Sequence, residues 1–78
     1  MKLTIVSPEK TIFSGTVFSV LLPGTKGNFE VLEDHAPLIS SLEKGTIRVK
    51  SDDKDIYFDI KSGFVELALN VVTVCVEQ

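Results

Sequence analysis

Residues 45–61 read GTIRVKSDDKDIYFDIK and show the clearest β-hairpin pattern in the chain. Apolar side chains alternate with polar ones in both halves of this segment, and the expected core-facing set is Ile47, Val49, Ile56, Phe58 and Ile60. A period of two is typical of a half-buried strand, and the polar residues 51–54 between the halves supply a turn. The segment therefore predicts two antiparallel strands with one face on a hydrophobic core.

The same kind of pattern extends from this hairpin toward both termini. The further strands predicted are residues 3–6, 11–14, 16–22, 29–31, 64–69 and 71–76, with Val65, Leu67 and Leu69 expected to face the core. Residues 38–42 fit a helical turn or a strand, because the run is too short to separate the two periods. Short strands without a convincing amphipathic helix predict an all-β fold, a flattened antiparallel β-sandwich or barrel that forms one domain over residues 1–78.

Turn signals mark the expected strand ends. Gly15 is expected to break the second strand from the third, as a bulge or as a turn with positive φ. Pro23 and Gly24 stand in the order that a type II turn requires, so a hairpin or wide loop is expected there. Asn70 is expected to reverse the chain before the last strand, because its side chain tolerates a left-handed backbone.

Composition limits the classes of function open to the chain. A net charge of −3 with scattered basic residues argues against a nucleic-acid surface. The single cysteine, Cys75, cannot form an intramolecular disulfide, which favours a reducing cytosol. The first residues contain no long apolar run before a small-residue cleavage site, so no signal peptide is expected, and no apolar run approaches the ~20 residues that cross a bilayer. A domain of this size has a net stability of only several kcal/mol, which favours a component of a larger assembly.

The segment 27–39, GNFEVLEDHAPLI, is the first candidate for a functional surface. It places Glu30, Glu33 and Asp34 close to the only histidine, His35, and exposed loops often carry the contacts of a rigid scaffold. One histidine lacks the partners that a zinc site needs, so a metal or catalytic role is disfavoured. Two interpretations stay open: a plain solvated loop or a charged binding surface.

Other groups that could carry chemistry have simpler explanations. Cys75 lies among valines, where a thiol behaves as a small hydrophobe. The glycines form no phosphate-binding pattern between a strand and a helix. The aromatic residues are scattered over alternating faces and are more typical of a core than of a binding platform. The residues alone therefore predict a small acidic β-sandwich that works by surface contact, without catalysis and without a cofactor.

Several short motifs occur in order along nearly the whole chain. They are VSPE at 6–9, FSG at 13–15, HAPL at 35–38, GTIR at 45–48, GFVEL at 63–67 and NVVTV at 70–74. In order and spacing they resemble the amino-terminal domain of the epsilon subunit of the bacterial F-type ATP synthase. The HAPL motif and the final Asn-x-Val-Thr-Val make this resemblance specific.

The resemblance implies a non-catalytic rotor subunit of the central stalk, which bridges the gamma subunit and the ring of c subunits and helps couple proton flow to ATP synthesis. Such a subunit lies at the cytoplasmic face of the bacterial inner membrane and meets the membrane only through the complex. The implied gamma-facing residues are Ser7, His35, Ala36 and Pro37. The implied ring-facing loop is Lys26, Gly27, Asn28, Phe29 and Glu30.

Two departures from the family pattern affect these expectations. The family usually has Gly-Ile-x-Pro-Gly before its histidine, whereas residues 30–34 here read EVLED. We hypothesise that these acidic groups complement basic groups on the ring or on gamma. Family members commonly add a two-helix carboxy-terminal domain that can brake ATP hydrolysis and sometimes binds ATP. That helical domain is expected to be absent here, so neither braking by it nor ATP binding is expected of this chain.

A rival hypothesis from another functional class is a free-standing β-sandwich module that binds a small ligand or a carbohydrate. Such a module would show a concave pocket with convergent polar and aromatic groups, whereas a rotor component would show broad contact surfaces.

Overall fold

The computed structural model describes residues 1–78 and contains nine β-strands and no α-helix. The strands are β1 Lys2–Val6, β2 Thr11–Thr16, β3 Ser19–Gly24, β4 Gly27–Leu32, β5 Leu38–Leu42, β6 Gly45–Ser51, β7 Lys54–Ile60, β8 Ser62–Ala68 and β9 Val71–Glu77. No helix long and apolar enough to cross a membrane is present. The all-β prediction is confirmed, and residues 38–42, which the sequence left open, form a strand.

A single sheet doubles back on itself to give a half-barrel with two layers. Its strand order is β2-β1-β9-β8-β5-β3-β6-β7, and β4 pairs with β3 alone. We call β2-β1-β9-β8-β5 the five-strand layer and β4-β3-β6-β7 the four-strand layer. The layers are joined where Gly24 of β3 pairs with Leu42 of β5. The prediction of an antiparallel sandwich is confirmed, with one exception: β1 and β9 run parallel.

The hydrophobic core lies between the two layers. It consists of the buried side chains Leu3, Ile5, Val17, Val20, Leu22, Val31, Leu42, Ile47, Val49, Ile60, Val65, Leu67, Val72, Val74 and Val76. Ile56 and Phe58, also predicted to face inward, are half-buried and pack against this cluster. Phe58 meets Phe13 of β2 edge to face, with ring centroids 5.9 Å apart. This contact covers the core between edge strands β2 and β7.

The predicted break at Gly15 is wrong. Gly15 pairs with Leu3 inside β2 without a positive φ, and the ladder shifts register instead between Ile5 and Val6. The chain leaves the five-strand layer at Val17 and Phe18, after Thr16 has ended β2. The Val17 N–H donates to the Met1 carbonyl and the Phe18 N–H to the Lys50 carbonyl. These two hydrogen bonds join distant parts of the chain. The predicted strand 16–22 is therefore interrupted at Val17 and Phe18, and β3 begins only at Ser19.

The hairpin after β3 is confirmed, but its turn lies two residues later than predicted. Pro23 and Gly24 belong to β3, and the turn residues are Thr25 and Lys26. Gly24 is required for packing, because a Cβ atom at this position would lie 2.8 Å from Cε1 of Phe29. Gly27 has φ 123°, a value that only glycine adopts easily, and completes the turn.

The turn between β8 and β9 contains both Leu69 and Asn70. Asn70 has φ 61° and reverses the chain, as predicted. Leu69 was expected to face the core, but it also adopts a left-handed conformation, with φ 52°, and is 91% exposed. The alternation of β8 therefore ends at Ala68, and Leu69 forms the apolar tip of the turn.

The isoleucines of the chain allow a direct test of the core assignment. We expect Ile47→Ala to lower the free energy of unfolding by about 2–5 kcal/mol, because Ile47 is fully buried and its removal leaves a cavity. The control Ile39→Ala changes a side chain that is 76% exposed, and we expect a change within about 0.5 kcal/mol. Urea unfolding followed by circular dichroism measures both values; equal effects would contradict the layer assignment.

Candidate contact surfaces

Ser7, the first of the implied gamma-facing residues, closes the turn between β1 and β2. Its backbone N–H donates to the Lys10 carbonyl at 2.8 Å, and its Oγ accepts from the Lys10 N–H at 3.3 Å. The same hydroxyl lies 3.4 Å from Oε1 of Glu9. Ser7 therefore has a structural role in this turn, whatever else it contacts.

The segment His35-Ala36-Pro37 forms the exposed second half of the loop between β4 and β5. The His35 N–H donates to the Leu32 carbonyl at 3.2 Å, and Nδ1 of His35 lies 2.7 Å from the Ala36 carbonyl oxygen, which accepts from the Nδ1–H tautomer. The ring is therefore oriented by its own loop. Nδ1 is occupied by this local contact, and Nε2 is left for an outside partner.

A pair of hydrogen bonds joins this loop to the β8–β9 turn, and we call the pair the clasp. The backbone N–H of Asp34 donates to Oδ1 of Asn70 at 2.7 Å. In return, Nδ2 of Asn70 donates to Oδ1 of Asp34 at 3.1 Å. The clasp places the start of His35–Pro37 against the five-strand layer.

The structure does not bring Ser7 and His35–Pro37 into one compact site. Ser7 follows the last residue of β1, whereas Pro37 precedes the first residue of β5, three strands away and at the opposite end. Strand spacing and rise put these two positions roughly 20 Å apart. They mark diagonal corners of the five-strand layer, so a single partner that contacts both would cover most of the outer face of that layer.

That outer face is largely apolar or small in character. The pairing registers align its residues in rows, which contain Val6, Cys75, Phe64 and Ser41; Ser14, Thr4, Thr73, Glu66 and Ile39; and Thr16, Lys2, Val71 and Ala68. Glu66 is the charged residue near the middle, while Lys2 lies at one end. Ile39, Phe64 and Val71 are large exposed hydrophobic residues. An exposed apolar surface of this kind is typical of a protein contact.

A groove of about 510 Å³ opens on the same face beside Ser7. Ser7 and Pro8 line one side, and Phe64 and Cys75 lie across the strands. The groove has one aromatic residue and a mainly apolar lining, and Glu77 supplies its charged group. The groove therefore continues the apolar face. The rival hypothesis requires a pocket in which polar and aromatic groups converge on a ligand, and this groove lacks that arrangement.

The outer face of the four-strand layer has the opposite character. Its charged residues are Glu30, Arg48, Lys50, Asp55 and Asp59. Many of its polar groups are already paired: Arg48 contacts Glu30 at 3.0 Å, and Oγ1 of Thr46 donates to Asp59 at 2.8 Å. The same face also exposes Leu32 and Tyr57, so it differs from the outer face of the five-strand layer chiefly in its charges.

The implied ring-facing residues divide into three environments. Lys26, Gly27 and Asn28 are exposed at the tip of the β3–β4 hairpin. Phe29 turns inward and packs against the core. Glu30 lies farther along β4, where it forms an ion pair with Arg48 and is remote from the tip. The resemblance placed five residues in one loop, but the structure presents only the first three of them together.

Charge differs between the two ends of the sandwich. The end with the β3–β4 hairpin tip also carries the turns before β2, before β6 and before β8, and its charged residues are Lys10, Lys26, Lys44, Lys61, Glu9, Glu43 and Glu77. The opposite end carries the clasp and is more acidic, with Glu33, Asp34, Asp52 and Asp53 against Lys54. The acidic loop and the hairpin tip therefore face in different directions.

Two of these features had no signal in the sequence. The clasp joins residues 36 positions apart, and the Glu30–Arg48 pair joins residues 18 apart. The apolar outer face did leave a signal: the expected solvent positions of β8, β9 and β5 contain phenylalanine, valine and isoleucine where an exposed face usually has charges.

Comparison with known proteins gives a consistent result. The family model described as the beta-sandwich domain of the ATP synthase delta/epsilon chain matches residues 1–78. The chain is 42% identical to the ATP synthase epsilon chain of Chlorobium limicola, over 99% of this chain and 89% of the relative. It is 32% identical to the epsilon chain of Leptospira interrogans, over the whole chain but only 61% of that relative's length.

Two solved structures share the fold at low identity. A chain in the cryo-EM structure of the Euglena gracilis mitochondrial ATP synthase, with OSCP, F1 and c-ring, superposes with a TM-score of 0.91 at 22% identity, over 97% of this chain and 49% of that one. A chain of the Tetrahymena thermophila mitochondrial ATP synthase central stalk and c-ring superposes with a TM-score of 0.81 at 18% identity, over 99% and 63%.

The fold and its surfaces define a class: a small β-sandwich domain whose two outer faces differ in charge. Within that class, the match over the full chain assigns this protein to the delta/epsilon family of ATP synthase subunits. This assignment confirms the family resemblance seen in the sequence and the interpretation of the chain as a non-catalytic subunit.

The Glu30–Arg48 pair should contribute little to stability. Both side chains are partly exposed, so we expect a coupling of roughly 0.2–1 kcal/mol. A double-mutant cycle with Glu30→Gln and Arg48→Met, followed by urea unfolding, measures this coupling. We expect it to shrink in 1 M salt, where the Debye length is about 3 Å. A larger, salt-independent coupling would mean that the pair is shielded from solvent.

Proposed function

We propose that this chain is a rotor subunit of a proton-translocating F-type ATP synthase and bridges the gamma subunit and the c-ring. The observation that carries the proposal is the apolar outer face of the five-strand layer, which extends between the two implied gamma-facing corners. Membership of the delta/epsilon family supports a stalk role. The subunit would help couple proton flow to ATP synthesis without catalysing a step itself.

The choice of face follows from the cost of removing groups from water. The four-strand layer would have to bury several charges, and each would need a new partner of good geometry. The five-strand layer would bury Phe64, Ile39 and Val71, which gain from leaving water. We therefore assign gamma to the five-strand layer, with Ser7 and His35–Pro37 at the edges of the interface.

The c-ring is assigned to the end that bears the β3–β4 hairpin tip. Lys26, Gly27 and Asn28 protrude there, and the nearby turns carry lysine side chains. The acidic residues 33 and 34 lie at the other end, so their hypothesised complement is a basic group on gamma and not on the ring. In this arrangement the protein is peripheral at the cytoplasmic face of a bacterial inner membrane, attached through the complex.

The gamma interface is tested by two matched aromatic substitutions. Phe64 is 52% exposed on the five-strand layer, and Tyr57 is 61% exposed on the four-strand layer. We expect Phe64→Ser to weaken binding to the gamma subunit by about tenfold or more, because a buried aromatic anchor is lost. Tyr57→Ser should bind like the unsubstituted chain.

Titration calorimetry with purified gamma measures both affinities, and copurification from native membranes shows whether gamma accompanies the chain. A loss confined to Tyr57→Ser would assign gamma to the four-strand layer. If the unsubstituted chain bound no gamma, the proposed function would be wrong.

The ring contact is tested by crosslinking in the assembled synthase. A photoreactive maleimide attached to Lys26→Cys should yield adducts with a c subunit, because this side chain protrudes at the hairpin tip. The matched control is Lys54→Cys at the first residue of β7, at the opposite end, and unsubstituted protein labelled at Cys75 alone gives the background. Equal c-subunit adducts from both positions would contradict the assigned orientation.

A further inference from the structure

The clasp is the link that fixes the β4–β5 loop to the rest of the fold. Among the hydrogen bonds made by residues 33–37, those between Asp34 and Asn70 reach another turn, whereas those of His35 stay within the loop or reach the adjacent end of β4. The clasp thus fixes the loop to the β8–β9 turn at this end of the sandwich.

Both partners of the clasp adopt an uncommon backbone conformation. Asp34 has φ 66° and Asn70 has φ 61°, a left-handed region that Asp and Asn tolerate better than most side chains. The Asn70 carbonyl also accepts the Lys2 N–H at 2.9 Å, which ties the turn to β1. Hydrogen bonds therefore connect Lys2 of β1 to Asn70, and Asn70 to Asp34, the residue before His35.

We propose that Asn70 is a positioning residue for the gamma interface, one that holds His35–Pro37 in the conformation that gamma binds. This inference rests on the proposed function. The loop residues themselves are exposed, so without the clasp they would have to be ordered on binding, and that ordering lowers affinity. Asn70 acts through Asp34 and need not touch gamma itself.

Because the clasp pairs an amide with a carboxylate, the two side chains can be exchanged between positions 34 and 70. Single and double substitutions then test the amide donor and the oxygen acceptor separately. Asn70→Asp keeps an oxygen for the Asp34 N–H, but it removes the Nδ2 donor and places a carboxylate opposite the carboxylate of Asp34. Asp34→Asn alone keeps an oxygen that can accept from Asn70. The double substitution D34N/N70D again sets one amide donor opposite one carboxylate. All of these residue types tolerate the left-handed backbone.

We expect N70D to bind gamma about tenfold more weakly, because its hydrogen bond to Asp34 is replaced by repulsion between like charges. D34N keeps the clasp, so it should lose only the attraction of its own charge for gamma, about threefold or less and least at high salt. The double variant should recover to within about threefold of the unsubstituted chain. Titration of the full 78-residue chain against gamma measures these affinities. Hydrogen exchange of the free protein should show faster exchange at residues 34 and 35 in N70D, with protection restored in the double variant.

A purely structural role predicts a different result: N70D would lower the unfolding temperature while the folded protein kept its affinity. That result, or a double variant that is folded but not rescued, would overturn the inference.

If N70D proves unfolded at the assay temperature, Asn70→Gly replaces it, because glycine keeps the turn and removes both side-chain bonds. Asn70→Gly should also bind about tenfold more weakly, and normal binding would overturn the inference. Failure of the unsubstituted chain to bind gamma would instead refute the proposed function.

Discussion

Burial of valine, leucine and isoleucine between the two layers is the interaction on which the rest of the structure depends. Every member of the buried core cluster is one of these three residue types. No helix or second core contributes, so each strand must direct alternate side chains toward the same narrow space. The intervening side chains of each strand then point outward. The residue types at these outward positions determine whether a face of the sandwich favours water or a protein partner.

The sequence predicts the fold best where this alternation is regular. Residues 45–61 form the expected hairpin, and Asn70 reverses the chain as expected. The structure differs from the prediction at Gly15 and Pro23 for one reason: pairing between distant strands overrides the local turn preference of glycine and proline. Gly15 has a strand partner in Leu3, and the Pro23 carbonyl accepts the Glu43 N–H, so both stay in strands despite their local preference.

The contact surfaces were less predictable than the fold, because they depend on which distant residues become neighbours. The motif around His35 indicates this loop as a candidate contact surface, but its link to Asn70 follows only from the folded topology. The charge of Glu30 suggests an outside partner, but Arg48 of β6, which is separated from β4 by β3, pairs with it within the chain. The gamma and ring assignments themselves remain predictions.

The parallel pairing of β1 with β9 has a consequence for biosynthesis. The second residue of the chain pairs with residue 71, so the first strand emerges from the ribosome long before its central neighbour exists. Until β9 arrives, β1 and β8 have no strand between them, and the inner residues Leu3 and Val65 stay accessible. The five-strand layer is therefore expected to form only after β9 has been synthesised, in a nearly all-or-none step.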